Sequence, residues 1–111
     1  MTPDYTYRCE VDRVVDGDTI SLFVSLGFYV TVQLRVRLLG VNTPERGQPG
    51  FADATEFAKG WLSGVEDGDL LVQTEKTGKY GRWLATIFDG GGGMTLNQAL
   101  LNAGLAEEYG K

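Results

Sequence analysis

A chain of 111 residues, 42% hydrophobic and with 15 acidic against 10 basic side chains, has the size and apolar content of one small domain with a buried core. Its formal net charge of -5 argues against a protein that coats nucleic acid with its whole surface. A single cysteine, Cys9, excludes an internal disulfide, and the absence of histidine excludes the usual zinc sites and the Ser-His and Cys-His nucleophile pairs.

Residues 5–15 read as a first strand, with Tyr5, Tyr7, Cys9 and Val11 alternating against polar neighbours until Asp16-Gly17 breaks the pattern. Cys9 fits there as a small buried strand residue. A hairpin follows. Residues 19–24 are β-branched and apolar, Ser25-Leu26-Gly27 supplies the turn, and the return strand runs to about residue 39. On that strand Val30, Val32, Leu34, Val36 and Leu38 face one way, and Thr31, Gln33, Arg35 and Arg37 the other.

Pro44 and Pro49 bracket a polar loop. Phe51, Ala54, Ala58, Trp61 and Leu62 then recur at three- and four-residue steps, the pattern of an amphipathic helix to about Ser63, with Gly64 as its stop. Residues 70–74 and 83–88 are short strands joined by the 76–82 loop, and glycines 90–93 make a loose turn. Thr95 and Gln98 form a capping box for a last helix through Ala103, stopped by Gly104. Five short antiparallel strands with two helices make a mainly β, α+β domain over residues 1–111. The expected architecture is a small closed or partly open barrel of the OB type, whose strand face and loops are a common nucleic-acid platform.

No apolar run is long enough to span a bilayer, so no membrane partner is expected. No apolar leader follows the start, which makes a cytoplasmic product the expectation, or a secreted one if a leader has been removed. Arg35, Arg37, Arg46, Lys76, Lys79 and Arg82 gather in the middle of the chain, while Asp4, Glu10, Asp12, Glu66, Asp67, Asp69, Glu107 and Glu108 lie mainly elsewhere. A local basic groove on an acidic body binds nucleic acid with strong salt dependence.

Three pieces bring together carboxylates, an amide oxygen and two guanidinium groups: Asp16-Gly17-Asp18-Thr19, Arg37-Leu38-Leu39-Gly40-Val41-Asn42-Thr43-Pro44-Glu45, and Lys79-Tyr80-Gly81-Arg82. Oxygen ligands hold a hard cation such as Ca²⁺. Planar arginine forks grip phosphate oxygens. A carboxylate without a cationic partner can act as a base. The residues alone leave plainer accounts open: Asp16 or Asp18 as a turn cap, Glu45 as the start of a loop, the arginines as solvated surface charge.

These pieces, extended to Val15 and joined by Leu96-Asn97-Gln98-Ala99-Leu100 with Gly104-Leu105-Ala106, occur in the order and similar spacing of one family. Over about residues 13–106 the chain resembles the staphylococcal nuclease (thermonuclease) family. The resemblance implies a calcium-dependent nuclease that hydrolyses DNA and RNA, prefers single strands and leaves 3′-phosphorylated products. It assigns Asp18, Asn42 and the Thr43 carbonyl to Ca²⁺, with Asn42 standing where the family usually has an aspartate. Glu45 becomes the general base, Arg37 and Arg82 the phosphate ligands, and Lys79 and Tyr80 the nucleotide contacts. Tyr109 is a further stacking ring, and Arg46, with no family role, adds positive potential. The chain ends at Lys111 without the C-terminal helix of the secreted members, so exposed apolar area and self-association are expected. A catalytically weak or inactive nucleic-acid-binding module and an acidic protein-interaction domain are the alternatives.

Overall fold

The alternation that begins at Tyr5 forms strand β1 (Tyr5–Asp16) in a computed structural model that describes residues 5–66, 68–76 and 83–108. β2 (Thr19–Gly27) and β3 (Val30–Leu38) make a long antiparallel hairpin, and the two-residue strand β4 (Val41–Asn42) follows. Helix α1 (Phe51–Ser63) leads to β5 (Leu70–Lys76) and β6 (Trp83–Asp89), then to helix α2 (Leu96–Asn102) and strand β7 (Glu107–Glu108). The strands β1-β2-β3-β6-β5 close into a barrel, and β4 pairs with β7 in a separate two-stranded sheet. This is the expected five-stranded, OB-like fold with two helices.

β1 closes the barrel by serving two neighbours. Tyr5, Thr6, Tyr7 and Arg8 pair with β5, and the chain from Cys9 onward pairs with β2. Register shifts between Val11 and Arg13 and between Val14 and Asp16 let β1 bend between these partners, as bulges do. The displaced Asp12 is put to use, accepting hydrogen bonds from Ser21 Oγ at 2.9 Å and Gln33 Nε2 at 2.7 Å, which ties three strands together.

Three expectations need correction. The barrel is not all antiparallel, because β3 and β6 run parallel through Val36↔Trp83, Arg37↔Leu84 and Leu38↔Ala85. The chain leaves β3, crosses through α1 and returns along β5, so β6, antiparallel to β5, meets β3 in the same direction. The hairpin turn is not Ser25-Leu26-Gly27 but Phe28-Tyr29, with φ of 55° and 61°. Two successive left-handed residues suit the right-handed twist of the flanking strands, yet aromatic residues are a rare choice for that conformation. Finally, Thr95 Oγ1 accepts from Gln98 N at 3.1 Å, but the Gln98 side chain donates to Asn102 Oδ1 instead of returning to the cap.

The core lies inside the barrel and under both helices. Ile20, Leu22, Leu38, Ile87, Leu96 and Leu100 are fully buried, each contributing about 1.5–3 kcal/mol by removal from water. Helix α1 lays Ala54, Thr55, Ala58 and Leu62 inward against β1 and α2. Burial along β3 is graded: Val36 and Leu38 are enclosed, Leu34 is half-buried, and Val32 and Val30 are 38% and 47% exposed. The outer part of the β2–β3 hairpin therefore stands clear of the barrel it helps to build. Cys9 is buried, as expected, and its Sγ donates to Leu70 O at 3.7 Å. Burial, with the neighbouring Glu10 charge adding to it, pushes the thiol up to about 12.

Candidate active site

The site begins at the turn between β1 and β2. Gly17 is there because nothing larger fits: a Cβ at this position would lie 2.8 Å from Ala54 Cβ and 3.1 Å from both Thr43 Cγ2 and Thr43 Oγ1. The turn thus presses against α1 and against the segment after β4, and Asp18, the next residue, is only 6% exposed. Its main-chain carbonyl accepts from Leu38 N at 2.8 Å, pinning the end of β3 to the turn.

Around the Asp18 carboxylate three donors converge. Oδ2 accepts from Thr43 N at 3.1 Å and lies 3.4 Å from Arg37 Nη2, while Oδ1 accepts from Thr19 Oγ1 at 3.2 Å. Arg37 Nη2 also donates to Asn42 Oδ1 at 2.9 Å. Asp18, Arg37, Asn42 and Thr43 are therefore one cluster, as the sequence led one to expect. They are brought there by the turn, by the last residues of β3, and by β4.

The donor chemistry fits a hard cation. Asp18 Oδ2 and Asn42 Oδ1 both face the same cationic nitrogen, so two oxygens, one charged and one neutral, are already arranged around positive charge. Here that charge belongs to Arg37, which acts as an internal counter-ion within the cluster. The Thr43 carbonyl is the third oxygen that the resemblance assigns. Thr43 itself is buried, and among the described residues its Oγ1 is one of two buried side-chain oxygens with no hydrogen-bond partner, Thr55 Oγ1 being the other.

Glu45 is exposed on the next turn, where its N donates to Gln48 Oε1 at 2.8 Å and its carbonyl accepts from Gln48 N at 2.9 Å. No described residue makes a hydrogen bond or ion pair with its carboxylate. Arg46 places its guanidinium 5.1 Å from the centre of the Phe51 ring, a cation–π contact over the first turn of α1. Lys79, Tyr80, Arg82 and Tyr109 lie outside the described residues.

Two contributors were not singled out from sequence. Asn97, buried in the first turn of α2, donates Nδ2 to Leu39 O at 2.8 Å and to Ala85 O at 3.1 Å, while its Oδ1 accepts from Ile87 N at 3.2 Å. It staples the helix to β6 and to the bend leading into β4, and so holds Asn42 and Thr43 in place. Its signal was a lone amide within an otherwise apolar helix face. Glu107 is the other. It pairs directly with Asn42 in the β4–β7 ladder, and side chains paired in this way share a face with Cβ atoms about 4.5–5.5 Å apart. No local sequence signal marks it.

Among the described residues no helix is long and apolar enough to cross a membrane. The family description "Staphylococcal nuclease homologue" matches residues 35–111. The chain is 31% identical over 99 residues to a protein of Escherichia coli O157:H7 named "Uncharacterized endonuclease", covering 89% of this chain and 59% of that one. An Escherichia coli protein of the same name gives the same figures. "Protein ParB" of Escherichia coli is 35% identical over 81 residues, which is 73% of this chain and 41% of ParB. The chain thus spans 41% to 59% of the length of these relatives. The match over residues 35–111, on a five-stranded barrel with Asp18, Arg37, Asn42 and Thr43 gathered at one turn, makes this chain a member of the staphylococcal nuclease family.

Proposed function

We propose that this domain hydrolyses phosphodiester bonds in DNA and RNA, prefers single strands, uses Ca²⁺ and leaves 3′-phosphorylated products. The observation that carries this reading is the meeting of Asp18 Oδ2 and Asn42 Oδ1 at one cationic nitrogen of Arg37, in a family whose relatives include proteins named endonuclease. Asp18, Asn42 and the Thr43 carbonyl would hold the ion, and Glu107 opposite Asn42 adds negative charge to their surroundings. Bound there, Ca²⁺ would supply Lewis-acid stabilisation of charge on a phosphate oxygen.

The remaining work falls to side chains. Glu45, whose carboxylate has no partner among the described residues, takes a proton from the attacking water. As the water oxygen bonds to phosphorus and the P–O5′ bond breaks, the departing 5′-oxygen takes up a proton from solvent, and Glu45 returns its own to solvent. Negative charge builds on the non-bridging oxygens, and Arg37 and Arg82 stabilise it more in the transition state than in the bound substrate. Lys79, Tyr80 and Tyr109 hold the nucleotide, the tyrosines by stacking on an unpaired base, which is the basis of the single-strand preference.

A fluorescent oligonucleotide, offered single- and double-stranded with Ca²⁺ and then with chelator, tests the whole reading. Calcium-dependent cleavage, faster on the single strand, is expected. Binding without cleavage would instead make the domain a nucleic-acid-binding module, and neither would leave a protein-interaction domain.

A further inference from the structure

The β2–β3 hairpin has an outer edge that nothing described covers. β3 pairs with β6 only at Val36, Arg37 and Leu38, so over residues 30–34 its far side has no partner strand among the described residues. Proteins usually blunt such an edge with charge, proline or a bulge. Charge and proline are absent, since residues 19–34 contain no charged side chain and no proline, and the one register break in the β2–β3 ladder lies on the β2 side, between Ser25 and Gly27, near the tip. Leu26, Val30 and Val32 are exposed beside it, and the tip carries Phe28 and Tyr29, 96% and 108% exposed in left-handed backbone. Exposure and strain together at two aromatic residues are not what folding alone selects.

We propose that this edge is a dimer interface, occupied by the same edge of a second copy of this chain. The stretch 30–34, without a partner strand on this side among the described residues, is self-complementary. Antiparallel pairing about a two-fold axis at Val32 sets Val32 against Val32, Val30 against Leu34 and Thr31 against Gln33, so apolar meets apolar and polar meets polar. The axis runs normal to the sheet, so the inner faces of the two hairpins fall on the same side and their exposed apolar residues merge. Residues 30–34 carry no charge of their own, so strands of an acidic chain meet there without setting like charges directly opposite one another. The same register carries Tyr29 alongside Arg35 of the second copy, two positions from Arg37, where an aromatic ring and a guanidinium attract one another. Dimerisation in this form gives each hairpin tip a place beside the other copy's active site.

The test is the mass of the whole chain in solution, by sedimentation or light scattering over a concentration series, for wild type and two variants. Wild type should approach twice the chain mass. Val32→Lys puts two like charges face to face on the axis and should raise the dissociation constant by roughly tenfold or more, with an unchanged circular dichroism spectrum. Val32→Cys should form a disulfide-linked dimer on mild oxidation, much faster than a Glu56→Cys control on the exposed face of α1. Cys9, buried, does not compete. A wild type that stays monomeric at high concentration, or open-ended aggregates in place of a dimer, overturns the proposal. So does a Val32→Cys variant that crosslinks no faster than the control. Phe28→Ser that weakens oligonucleotide binding while the mass stays that of a monomer would give the tip to nucleic acid instead.

Discussion

Arg37 Nη2 lies 2.9 Å from Asn42 Oδ1 and 3.4 Å from Asp18 Oδ2, so one nitrogen is shared between an amide and a carboxylate. Within this group the Asp18 carboxylate is met by the positive charge of Arg37. Converting the amide to a carboxylate changes that balance. Asn42→Asp should tighten Ca²⁺ binding by about tenfold, since ligand charge is a main control on calcium affinity. Glu107→Gln, which removes the carboxylate across the ladder from Asn42, should weaken it. Calorimetric titration of the free protein reads both, and equal affinities in all three proteins would remove residue 42 and its partner from the cation shell.

Glu45 sits on an exposed turn with no described side-chain partner, so Glu45→Gln should leave the fold unchanged. Its kcat should fall by roughly 10² to 10⁴, the usual loss when a general base is removed. Wild-type turnover in saturating Ca²⁺ would take the base role away from it.

The close packing at Gly17 makes a paired prediction. Gly17→Ala drives a methyl group to 2.8 Å from Ala54 Cβ, and overpacking of this kind costs about 1–3 kcal/mol. Activity should fall as well, because the turn also carries Asp18. Adding Ala54→Gly relieves the closest contact but leaves the two Thr43 contacts at 3.1 Å, so the double variant should regain part of the turn geometry, though not the helix propensity lost at residue 54. Denaturant melts of the four proteins measure the coupling. Additive losses would mean that the two residues do not meet.

Asn97→Ala removes three hydrogen bonds and leaves the buried main-chain N–H of Ile87 without its acceptor. About 2–4 kcal/mol of stability should be lost. Because Asn97 also anchors the bend before β4, any residual folded protein should show reduced Ca²⁺ affinity. An Asn97→Ala protein with wild-type stability and affinity would show that the staple is redundant.

Cys9 predicts a pH response. Burial, with the Glu10 charge adding to it, pushes its thiol from the ordinary thiol range up to about 12, so the folded state holds its proton where the unfolded chain has released it. The group's contribution is therefore fully present below pH 9 and is lost as pH rises toward 12. Thiol-reactive dye should label the native protein slowly at pH 8 and quickly in denaturant, and Cys9→Ala should flatten the alkaline fall in stability.

Much of the fold was legible because periodicity reports burial. The strand that starts at Tyr5, the helix carrying Ala54, Ala58 and Leu62, and the cap at Thr95 all follow from local pattern. What escaped was set by distant partners. Phe28-Tyr29 lack the glycine or asparagine that announces a left-handed turn, so Gly27 drew the turn toward itself. The parallel meeting of β3 with β6 depends on where the crossover through α1 delivers the chain, which no window of residues records. Asp18, Arg37, Asn42 and Thr43 could be nominated from their motifs, but Arg37 serving as counter-ion to the other polar groups could not. Glu107 was invisible because only the β4–β7 ladder makes it a neighbour of Asn42.

That ladder also bears on when the domain can act. Asp18 and Thr43, joined at 3.1 Å, are 25 positions apart, whereas Asn42 finds its strand partner only at Glu107. A chain emerging from the ribosome can build the β2–β3 hairpin early, but β4 waits for its partner until Glu107 and Glu108 have emerged. Non-local pairings of this kind form late. A growing chain thus completes this wall of the candidate site only after the barrel strands and both helices have been made, so Asp18, Arg37, Asn42 and Thr43 are all synthesised well before the partner that closes their surroundings.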